Sequence, residues 1–487
     1  MIELLILIIA VIWSIRILVN ISSYIHLWYV KEYRPDRMII HLKRTTQGKW
    51  IYFPKWKLPP LSIKTIVLAI LLTGSEIILF IFLPYHVLIR LVIVDLVLFP
   101  LSFLYVALLR FPTILYHTYK IQQAKKVLMK HTWKSVIGIT GSFGKTSTKE
   151  FLSTILSSKY SVLKTELSKN SVIGISETVL SQLRSQHEMF VVEMGAYKIG
   201  EIAEMTNLVH PTVGIITAIN AQHQDLFGSI ETTMKAKYEL LAGLSGKRIT
   251  VVNADNEYSF TMGEWAKRDG CDVWYVTKDK KAHPEAIYWI EDSVSNQTSC
   301  TFSLHYKNQM KRMTINIKGD QFVTNIALAI AGAIAGGMTF TEAISGAQAI
   351  QSVERVMQLS TGSQGEILIN DTFNNNPDAA IAAIHYLEKF KQKKILVFQP
   401  MIELGSYTES GHETVGKIAG IVCDEIILTN DNFSKAFIQG VQEVDVHKKV
   451  HIFSPEKAAS FIRSKIHNDD AILFKGKEAE YVWKLLL

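Results

Sequence analysis

The chain has 487 residues, and at about 150 residues per domain this length suggests about three structural units. Hydrophobic residues make up 48% and charged residues 20%, which excludes a disordered or low-complexity chain. The mean hydropathy of +0.17 is high for a soluble enzyme and favours membrane-spanning segments. The three cysteines, Cys271, Cys300 and Cys423, are too few and too scattered for a disulfide scaffold or a zinc site.

The net charge of +8 is unevenly distributed. Residues 1–134 carry 17 basic and 5 acidic side chains, whereas the rest of the chain carries 35 basic and 39 acidic ones. A basic piece beside apolar segments is typical of a membrane surface, and a mildly acidic remainder is not typical of nucleic-acid binding. We therefore expect a lipid bilayer, and no nucleic acid, as a partner.

Three apolar runs in the N-terminal region, residues 2–21, 65–84 and 86–109, each approach or exceed the ~20 residues that cross a bilayer. The stretch between the first two runs is basic, and so is the segment after the third. The positive-inside rule places the basic loop and everything after Arg110 in the cytoplasm, with the N-terminus outside. These features predict a multi-pass protein of the cytoplasmic membrane. The alternative is a small soluble lobe that buries the same residues.

Glu76 and Asp95 are ionisable residues within the second and third apolar runs, at a similar distance from the turn that joins these runs. Two carboxylates at one depth suggest a shared proton, a partner cation such as Arg90, or a polar cavity. A hydrogen bond between the two helices that holds the hairpin together explains them equally well.

From Ser135 onward the pattern changes to that of an α/β protein. Residues 135–140 are typical of a buried strand, and an amphipathic helix extends to about Ser157. The turn between them reads Gly-x-x-Gly-Lys-Thr, in which glycines turn backbone N–H groups toward an anion and the helix N-terminus adds partial positive charge. This context favours phosphate binding over a chance turn, with the candidate residues Gly141, Ser142, Phe143, Gly144, Lys145, Thr146 and Ser147.

Polar residues also follow two further predicted strands. Glu193 ends a strand at residues 189–192, and His223 follows a strand at residues 213–219. Because ligands bind beyond the carboxyl ends of parallel strands, Thr146, Glu193 and His223 can converge on one Mg-nucleotide. Taken singly, a glutamate at a strand end is usually solvated and a lone histidine is usually structural. Three such residues around one phosphate loop favour a site.

The C-terminal third predicts an alternation of strands and helices, which is typical of a Rossmann-like parallel sheet. The predicted strands are residues 366–370, 394–398, 425–428, 451–453 and 471–474. We therefore expect an α/β protein with three domains. These are a membrane region of transmembrane helices at 1–118, a central P-loop domain at 119–350 and a Rossmann-like domain at 351–487.

Several segments, in the same order along the chain, resemble the motifs of the Mur ligases, the ATP-dependent amide ligases of peptidoglycan assembly. The resemblance rests on residues 140–147, 193–195, 217–223 and 234–239. One branch, the UDP-N-acetylmuramoyl-tripeptide–D-alanyl-D-alanine ligases, is indicated by residues 252–256, 370–377, 401–412 and 474–476. The resemblance covers the chain from about Lys134 to its end.

The resemblance implies ATP and Mg²⁺ as cofactors. Lys145 and the loop backbone would hold the phosphates, Thr146 and Glu193 would hold one Mg²⁺, and His223 with a carbamylated Lys237 would hold a second. Catalytic roles would fall to Lys145, Lys237, His223 and Glu193. From the residues alone, without the resemblance, an ordinary helix-surface lysine is the favoured interpretation of Lys237.

The resemblance also implies nucleotide contacts by Asn325, Arg355, Asp371, Asn374 and Asn376. Turn-forming Asn and Asp before a helix explain the last three without a ligand. Two departures from the family pattern affect contacts to adenine and to the acceptor, because Gln321-Phe322 replaces a His-Asn pair and Gln399-Pro400 replaces Gly-Asp.

The implied reaction activates a carboxylate as an acyl phosphate, which an amine then attacks. A typical member of the branch begins with a soluble domain that holds the UDP-muramyl end of the substrate, whereas this chain has apolar runs in that place. The preferred interpretation is D-Ala-D-Ala addition to a muramyl-peptide or lipid-linked cell-wall precursor. The alternatives are a membrane-associated poly-γ-glutamate-type ligase and a P-loop NTPase that drives a membrane process without ligation.

Overall fold

The structure is a computed structural model, and its chain divides into two compact units, Met1–Tyr119 and Lys120–Leu487. The described residues are 2–44, 48, 50–54, 56–166, 169–220, 227–402, 404–468 and 470–487.

The first unit is helical. Its helices are α1 (Ile2–Val30), α2 (Pro35–Arg44), α3 (Ile63–Phe82) and α4 (Val87–Leu128), the last of which runs on past Tyr119. By length and composition, α1, α3 and α4 can each cross a membrane. The prediction of three long apolar helices is therefore confirmed, although α1 and α4 continue well beyond the predicted ends at residues 21 and 109.

Asp95 on α4 is held by two residues of α1. Arg16 Nε donates to Asp95 Oδ2 at 2.8 Å, and Asn20 Nδ2 donates to Asp95 Oδ1 at 2.7 Å. Arg90, one of the alternatives suggested as a partner cation, instead donates to two backbone carbonyls near the α3–α4 turn. Glu76 is buried, and neither of its carboxylate oxygens makes a hydrogen bond within the described part of the chain. The Asp95 contacts therefore link α4 to α1 rather than to α3.

The second unit contains two sheets, of which the first has nine strands in the order β2-β3-β1-β4-β5-β6-β7-β8-β9. The pairs from β2 to β7 are parallel, and β7, β8 and β9 pair antiparallel. The strands are β1 (Ser135–Thr140), β2 (Val162–Lys164), β3 (Met189–Glu193), β4 (Val213–Ile216), β5 (Ile249–Asn253), β6 (Asp272–Thr277), β7 (Tyr288–Ser295), β8 (Cys300–Tyr306) and β9 (Gln309–Ile315). The helices of this middle lobe are α5 (Lys145–Ser157), α6 (Val172–Gln182), α7 (Glu201–Val209), α8 (Ile230–Ala242), α9 (Glu257–Arg268), α10 (Gln321–Ala335) and α11 (Phe340–Ala347).

The second sheet has six strands in the order β10-β11-β15-β12-β13-β14. Only its edge pair β10–β11 is antiparallel. The strands are β10 (Gln358–Thr361), β11 (Ile367–Asp371), β12 (Lys394–Phe398), β13 (Glu425–Leu428), β14 (Val450–Ile452) and β15 (Ala471–Lys475). The helices of this last lobe are α12 (Pro377–Leu387), α13 (Thr408–Val422), α14 (Ser434–Val444), α15 (Pro455–Lys465) and α16 (Lys477–Leu486).

The α/β fold and the parallel sheets confirm the predicted fold class. The central strands are buried on both faces, which is why they appear in the sequence as continuous apolar runs. The register pairs Ile139 with Glu193 and Thr140 with Ile216, so β1, β3 and β4 end at the same edge of the sheet. Polar residues that follow these strands are thereby brought together.

Candidate active site

The turn after β1 depends on two glycines. Gly144 has a φ of +81°, and a Cβ built on it would lie 2.8 Å from Asn325 Oδ1. A Cβ on Gly141 would lie 2.0 Å from Thr217 Oγ1. A larger residue at either position would displace its neighbour, so only glycine keeps this backbone open to a close-lying anion. Helix α5 begins at Lys145, and its first N–H groups face the same turn.

The segment after β4 fixes the turn in place. Ser142 N donates to Ala218 O at 2.6 Å, and Thr217 Oγ1 donates to Phe143 O at 2.5 Å. Asn220 N donates to Ser142 Oγ at 3.1 Å. These hydrogen bonds from residues 217–220 hold the backbone of the turn in place.

Two lysine ammonium groups meet at one carbonyl of this turn. Lys145 Nζ donates to Gly141 O at 2.8 Å and to Ser142 O at 3.0 Å, and Lys237 Nζ from α8 donates to Gly141 O at 2.9 Å. The atoms that enclose the Lys145 ammonium lower its pKa, although the Glu193 carboxylate opposes the shift. Burial, reinforced by the charge of Lys145, lowers the pKa of Lys237 well below its usual value. Lys237 is buried, which is not the environment of a helix-surface lysine.

The buried Glu193 at the end of β3 is held through both carboxylate oxygens. Thr146 Oγ1 donates to Oε2 at 3.0 Å, and Asn170 Nδ2 donates to Oε1 at 3.0 Å. The backbone N–H of Glu193 donates to Thr165 Oγ1 at 3.0 Å. Thr146 and Glu193, predicted to share one metal ion, are thus in direct contact.

Three further predicted site residues of the middle lobe are Asn325, Ser147 and His223. Asn325 on α10 lies beside Gly144, and Ser147 is buried in the first turn of α5. His223 belongs to residues 221–226, which lie outside the described residues.

In the last lobe, the predicted residues have partners of their own. Arg355 pairs with Glu480 of α16. Asp371 contacts the buried Lys475 ammonium at 2.5 Å and also accepts from the backbone N–H of residue 357 at 3.3 Å. Asn374 is half-buried, between these residues and α12.

Asn376 caps α12 and also faces the middle lobe. Its Oδ1 accepts from Ala379 N at 3.0 Å and from Asn220 Nδ2 at 3.4 Å. The same Asn220 amide donates to Asp378 Oδ2 at 2.6 Å. The segment after β4 and the start of α12 are therefore in contact, and the interpretation of Asn376 as a turn former before a helix describes one of its two roles.

His412 organises the loop between β12 and α13. Its ring is buried, with Nδ1 2.6 Å from Thr408 O and Nε2 2.9 Å from Met401 N. A carbonyl accepts and an N–H donates, so the proton is on Nδ1 and the ring is neutral. Burial lowers the pKa of His412 to about 4. The neutral ring fixes a loop that follows Gln399-Pro400, where the sequence departs from the family pattern.

Two residues that contact Glu193 were not among the site residues predicted from the sequence. Asn170 reaches Glu193 from the segment before α6, and Lys149 reaches it from α5. The signal for Lys149 is its spacing, because a residue three positions after Thr146 lies on the same helix face. The polar residues around Asn170 precede a helix, as at any helix N-terminus, so the sequence carries no specific signal for its role.

The donor set fits a magnesium nucleotide. Backbone N–H groups and the Lys145 ammonium suit phosphate oxygens, and the Thr146 hydroxyl with the Glu193 carboxylate supplies the hard oxygen ligands that Mg²⁺ prefers. No group of three or more His, Cys, Asp or Glu side chains able to hold a metal occurs in the part of the chain that the structure describes. This is compatible with Mg²⁺, which usually binds one or two carboxylates together with substrate phosphates.

The parallel sheet, the Gly-x-x-Gly-Lys-Thr turn after its central strand and the helix that follows define an α/β protein of the P-loop nucleotide-binding class. Residues 139–333 match the Mur ligase middle domain, and residues 355–478 match the Mur ligase glutamate ligase domain. Together these segments make up more than half of the chain, which therefore belongs to the Mur ligase family.

Curated relatives support the same branch that the motifs indicated. The UDP-N-acetylmuramoyl-tripeptide–D-alanyl-D-alanine ligase of Buchnera aphidicola subsp. Acyrthosiphon pisum is 29% identical over 292 residues, which are 60% of this chain and 63% of that protein. The enzyme of the same name from Bacillus subtilis strain 168 is 28% identical over 381 residues, 75% of this chain and 79% of that protein. The chain thus spans less than two thirds of the Buchnera relative.

Solved structures share the fold. MurF from Acinetobacter baumannii has a TM-score of 0.68 at 24% identity and covers 76% of this chain and 79% of its own. The MurF ligase from Thermotoga maritima in complex with ADP has a TM-score of 0.66 at 23% identity, with coverage of 76% and 83%.

Proposed function

We propose that the chain is an ATP-dependent ligase that joins D-Ala-D-Ala to the peptide of a muramyl cell-wall precursor. One observation carries the proposal: Lys145, Lys237 and the Thr146–Glu193 pair surround a single P-loop turn in a chain of the Mur ligase family. The names of the Buchnera and Bacillus relatives suggest the two substrates. We place the domain boundaries near residues 118 and 350.

The proposed site has two parts. In the middle lobe, Lys145 and the loop residues Gly141, Ser142, Phe143, Gly144, Thr146 and Ser147 hold the phosphates, and Thr146, Glu193, His223 and Lys237 hold Mg²⁺. The nucleotide-binding residues are Asn325 of the middle lobe, which lies beside Gly144, and Arg355, Asp371, Asn374 and Asn376 of the last lobe. The donor chemistry of Thr146 and Glu193 supports the metal assignment.

Bound Mg-ATP would supply the γ-phosphoryl group that turns a substrate carboxylate into an acyl phosphate, which the amine of D-Ala-D-Ala then attacks. The Lys145 ammonium donates to the loop carbonyls Gly141 O and Ser142 O, so it already lies at the turn that would hold the phosphates. Its charge offsets the negative charge that grows on the transferred group. The Asn220–Asp378 contact joins the two lobes and supports their closure against water.

We also propose that Lys237 carries CO₂ as a carbamate. Its lowered pKa increases the fraction of free amine, which is the form whose nitrogen adds to the carbon of CO₂ and then releases a proton. The product is an anion, so it removes the repulsion between Lys237 and Lys145 and offers hard oxygen ligands to Mg²⁺.

The carbamate has a direct test. Protein equilibrated with ¹³C-bicarbonate should show one carbamate carbon resonance that Lys237→Ala abolishes and Lys235→Ala, a change at an exposed lysine of the same helix, does not. Lys237→Ala should also lower ligation by about a hundredfold. A parent spectrum without this resonance contradicts the modification.

The ligase proposal is tested by acceptor dependence. Full-length protein given ATP, UDP-N-acetylmuramoyl-tripeptide and D-Ala-D-Ala should release phosphate only when both substrates are present. Phosphate release driven by a glutamate polymer would favour the poly-γ-glutamate-type reaction instead. ATP turnover that ignores every acceptor and survives Lys237→Ala would favour an NTPase without ligation.

We further propose that α1, α3 and α4 anchor the chain in the cytoplasmic membrane, with the N-terminus outside and the second unit in the cytoplasm. Their length and apolar composition support the anchoring, and the basic residues between α1 and α3 support the orientation. A membrane-impermeant maleimide should label Glu3→Cys in intact cells and Lys134→Cys only after permeabilisation. The three native cysteines are buried and give a low background.

A membrane anchor in place of a UDP-binding domain makes a lipid-linked muramyl peptide a second candidate substrate. Full-length protein in vesicles should then use the lipid-linked precursor with a kcat/KM at least tenfold above that for the UDP-linked one. Equal values would mean that the helices serve only as an anchor.

A further inference from the structure

Lys149 on α5 is a fully buried lysine whose ammonium lies between two carboxylates. Its Nζ is 3.2 Å from Glu150 Oε1 and 3.6 Å from Glu193 Oε2, and its side chain has 0% exposure. The other oxygen of Glu150 contacts Lys164. We call Lys164, Glu150, Lys149 and Glu193 the ion-pair chain, which runs from the half-exposed Lys164 to the buried residue at the end of β3.

The ammonium of Lys149 is loosely held. It makes no hydrogen bond within the described residues, whereas the other fully buried lysine, Lys475, contacts Asp371 at 2.5 Å. Burying a charge is costly unless a partner compensates it, and apolar residues of similar volume usually stabilise a fold at least as well as a buried ion pair. Fold stability is therefore a weak reason for a lysine at this position.

The position of Lys149 gives a better reason. Lys149 lies three residues after Thr146 on the same face of α5, and both side chains contact Glu193 Oε2. Asn170 holds the other oxygen. Lys149 is thus the one cation that contacts Glu193 directly within the described residues, and Glu150 offsets its charge so that a divalent ion nearby meets little net repulsion.

We propose that Lys149 is a positioning residue that fixes the Glu193 carboxylate, through Oε2, in the orientation that receives a divalent metal ion. The inference rests on the proposed function, since it takes Glu193 as a ligand of the Mg²⁺ that accompanies a nucleoside di- or triphosphate. Without the ammonium, Thr146 and Asn170 still donate to Glu193, but no cation lies beside its Oε2, so the carboxylate is held less firmly in the orientation that receives the ion.

The test measures how ADP binding by the full-length chain depends on Mg²⁺. Calorimetric titration with ADP at a series of Mg²⁺ concentrations gives the Mg²⁺ concentration for half-maximal affinity. Lys149→Met should raise that concentration at least tenfold. Thr148→Val is the matched control, because Thr148 is equally buried on the same helix and its Oγ1 has no partner within the described chain. This control should leave the Mg²⁺ dependence unchanged.

The outcomes separate the two proposals. An unchanged Mg²⁺ dependence in Lys149→Met overturns the role of Lys149, even if ADP binds less tightly overall. A parent chain that binds ADP with Mg²⁺ but ligates nothing overturns the ligase proposal alone. A parent chain that binds no ADP overturns both. If Lys149→Met does not fold, Lys149→Gln, which keeps an amide donor, should show a shift of at least threefold. Failure of both variants to fold marks Lys149 as structural and also overturns its role.

Discussion

The middle lobe and the last lobe differ in what surrounds their predicted site residues. In the middle lobe, Lys145 and Lys237 share the Gly141 carbonyl, and Thr146 is bonded to Glu193. The last lobe instead pairs two of its predicted residues internally, Arg355 with Glu480 and Asp371 with Lys475. The middle-lobe residues converge on a turn, whereas Arg355 and Asp371 are bound within their own lobe.

The difference shows what kind of position a sequence pattern can fix. Parallel strands of one sheet end at one edge, so residues that follow β1 and β3 meet by local geometry alone. A residue of the last lobe can reach a nucleotide held by the middle lobe only through the arrangement of the two lobes. In the present arrangement, Asn220 reaches across to Asp378 and Asn376.

The largest expected loss of activity follows from changing a residue that converges on the P-loop turn in the middle lobe. Lys145→Met should lower acceptor-dependent phosphate release by about a thousandfold, because the Lys145 ammonium offsets the negative charge that grows on the transferred phosphoryl group. Phosphate release in a coupled assay measures the loss. Lys159→Met, which removes an exposed lysine paired with Glu342, should keep the parent rate. A loss of less than tenfold in Lys145→Met would mean that convergence at this turn is not a catalytic arrangement.

Changing a residue that is paired within the last lobe should mainly lower the stability of the fold. Lys475→Met leaves the Asp371 carboxylate without its buried cation and should lower the free energy of unfolding by about 3 to 5 kcal/mol. Urea unfolding of the full chain in detergent gives the value. The control is Lys417→Met, which breaks an exposed pair with Glu443 and should change stability by less than about 1 kcal/mol. Equal changes in the two variants would contradict a structural role for the Lys475–Asp371 pair.

The sequence predicted the strand–turn–helix of the P-loop and most strands of the last lobe, because short apolar runs and glycine turns are local signals. The last lobe's strands were located to within one residue, as at Val450–Ile452. The antiparallel strands β7 to β9 and the edge strand β10 were not predicted, since half-exposed strands lack a continuous apolar run. The parallel strands β2, β5 and β6 were not predicted either.

The contacts of single charged residues were predicted less well than the strands. For Asp95 the sequence left open a shared proton with Glu76, a partner cation such as Arg90, a polar cavity or a hydrogen bond within the hairpin, whereas the structure pairs Asp95 with Arg16 of α1. Lys149 and Asn170 were not among the candidates, although both contact Glu193. Such contacts depend on which faces of the helices and strands pack against each other. That information is distributed over many residues of the sequence and is not carried by a short motif.

A smaller effect concerns pH. The pKa of His412 is about 4 in the fold, below the ordinary value of about 6.5, so between these values the unfolded chain binds more protons. Stability should therefore fall by about 2 kcal/mol between pH 7 and pH 5 through this ring. His412→Gln should flatten the dependence of the urea midpoint on pH over that range. The exposed His467→Gln is the control, and an equal flattening there would contradict the assignment to His412.

The smallest effect separates two roles of one residue. Asn376→Ala removes the cap of α12 and should cost about 1 kcal/mol of stability. Ser454→Ala removes a cap of the same kind on α15 and should cost a similar amount. If Asn376 also faces the nucleotide, its variant should raise the KM for ATP by about fivefold, whereas Ser454→Ala should not; a loss of about 1 kcal/mol corresponds to such a factor. Identical KM values would make Asn376 a helix cap only, and the last lobe would then contribute to ATP binding through fewer residues than the family resemblance implies.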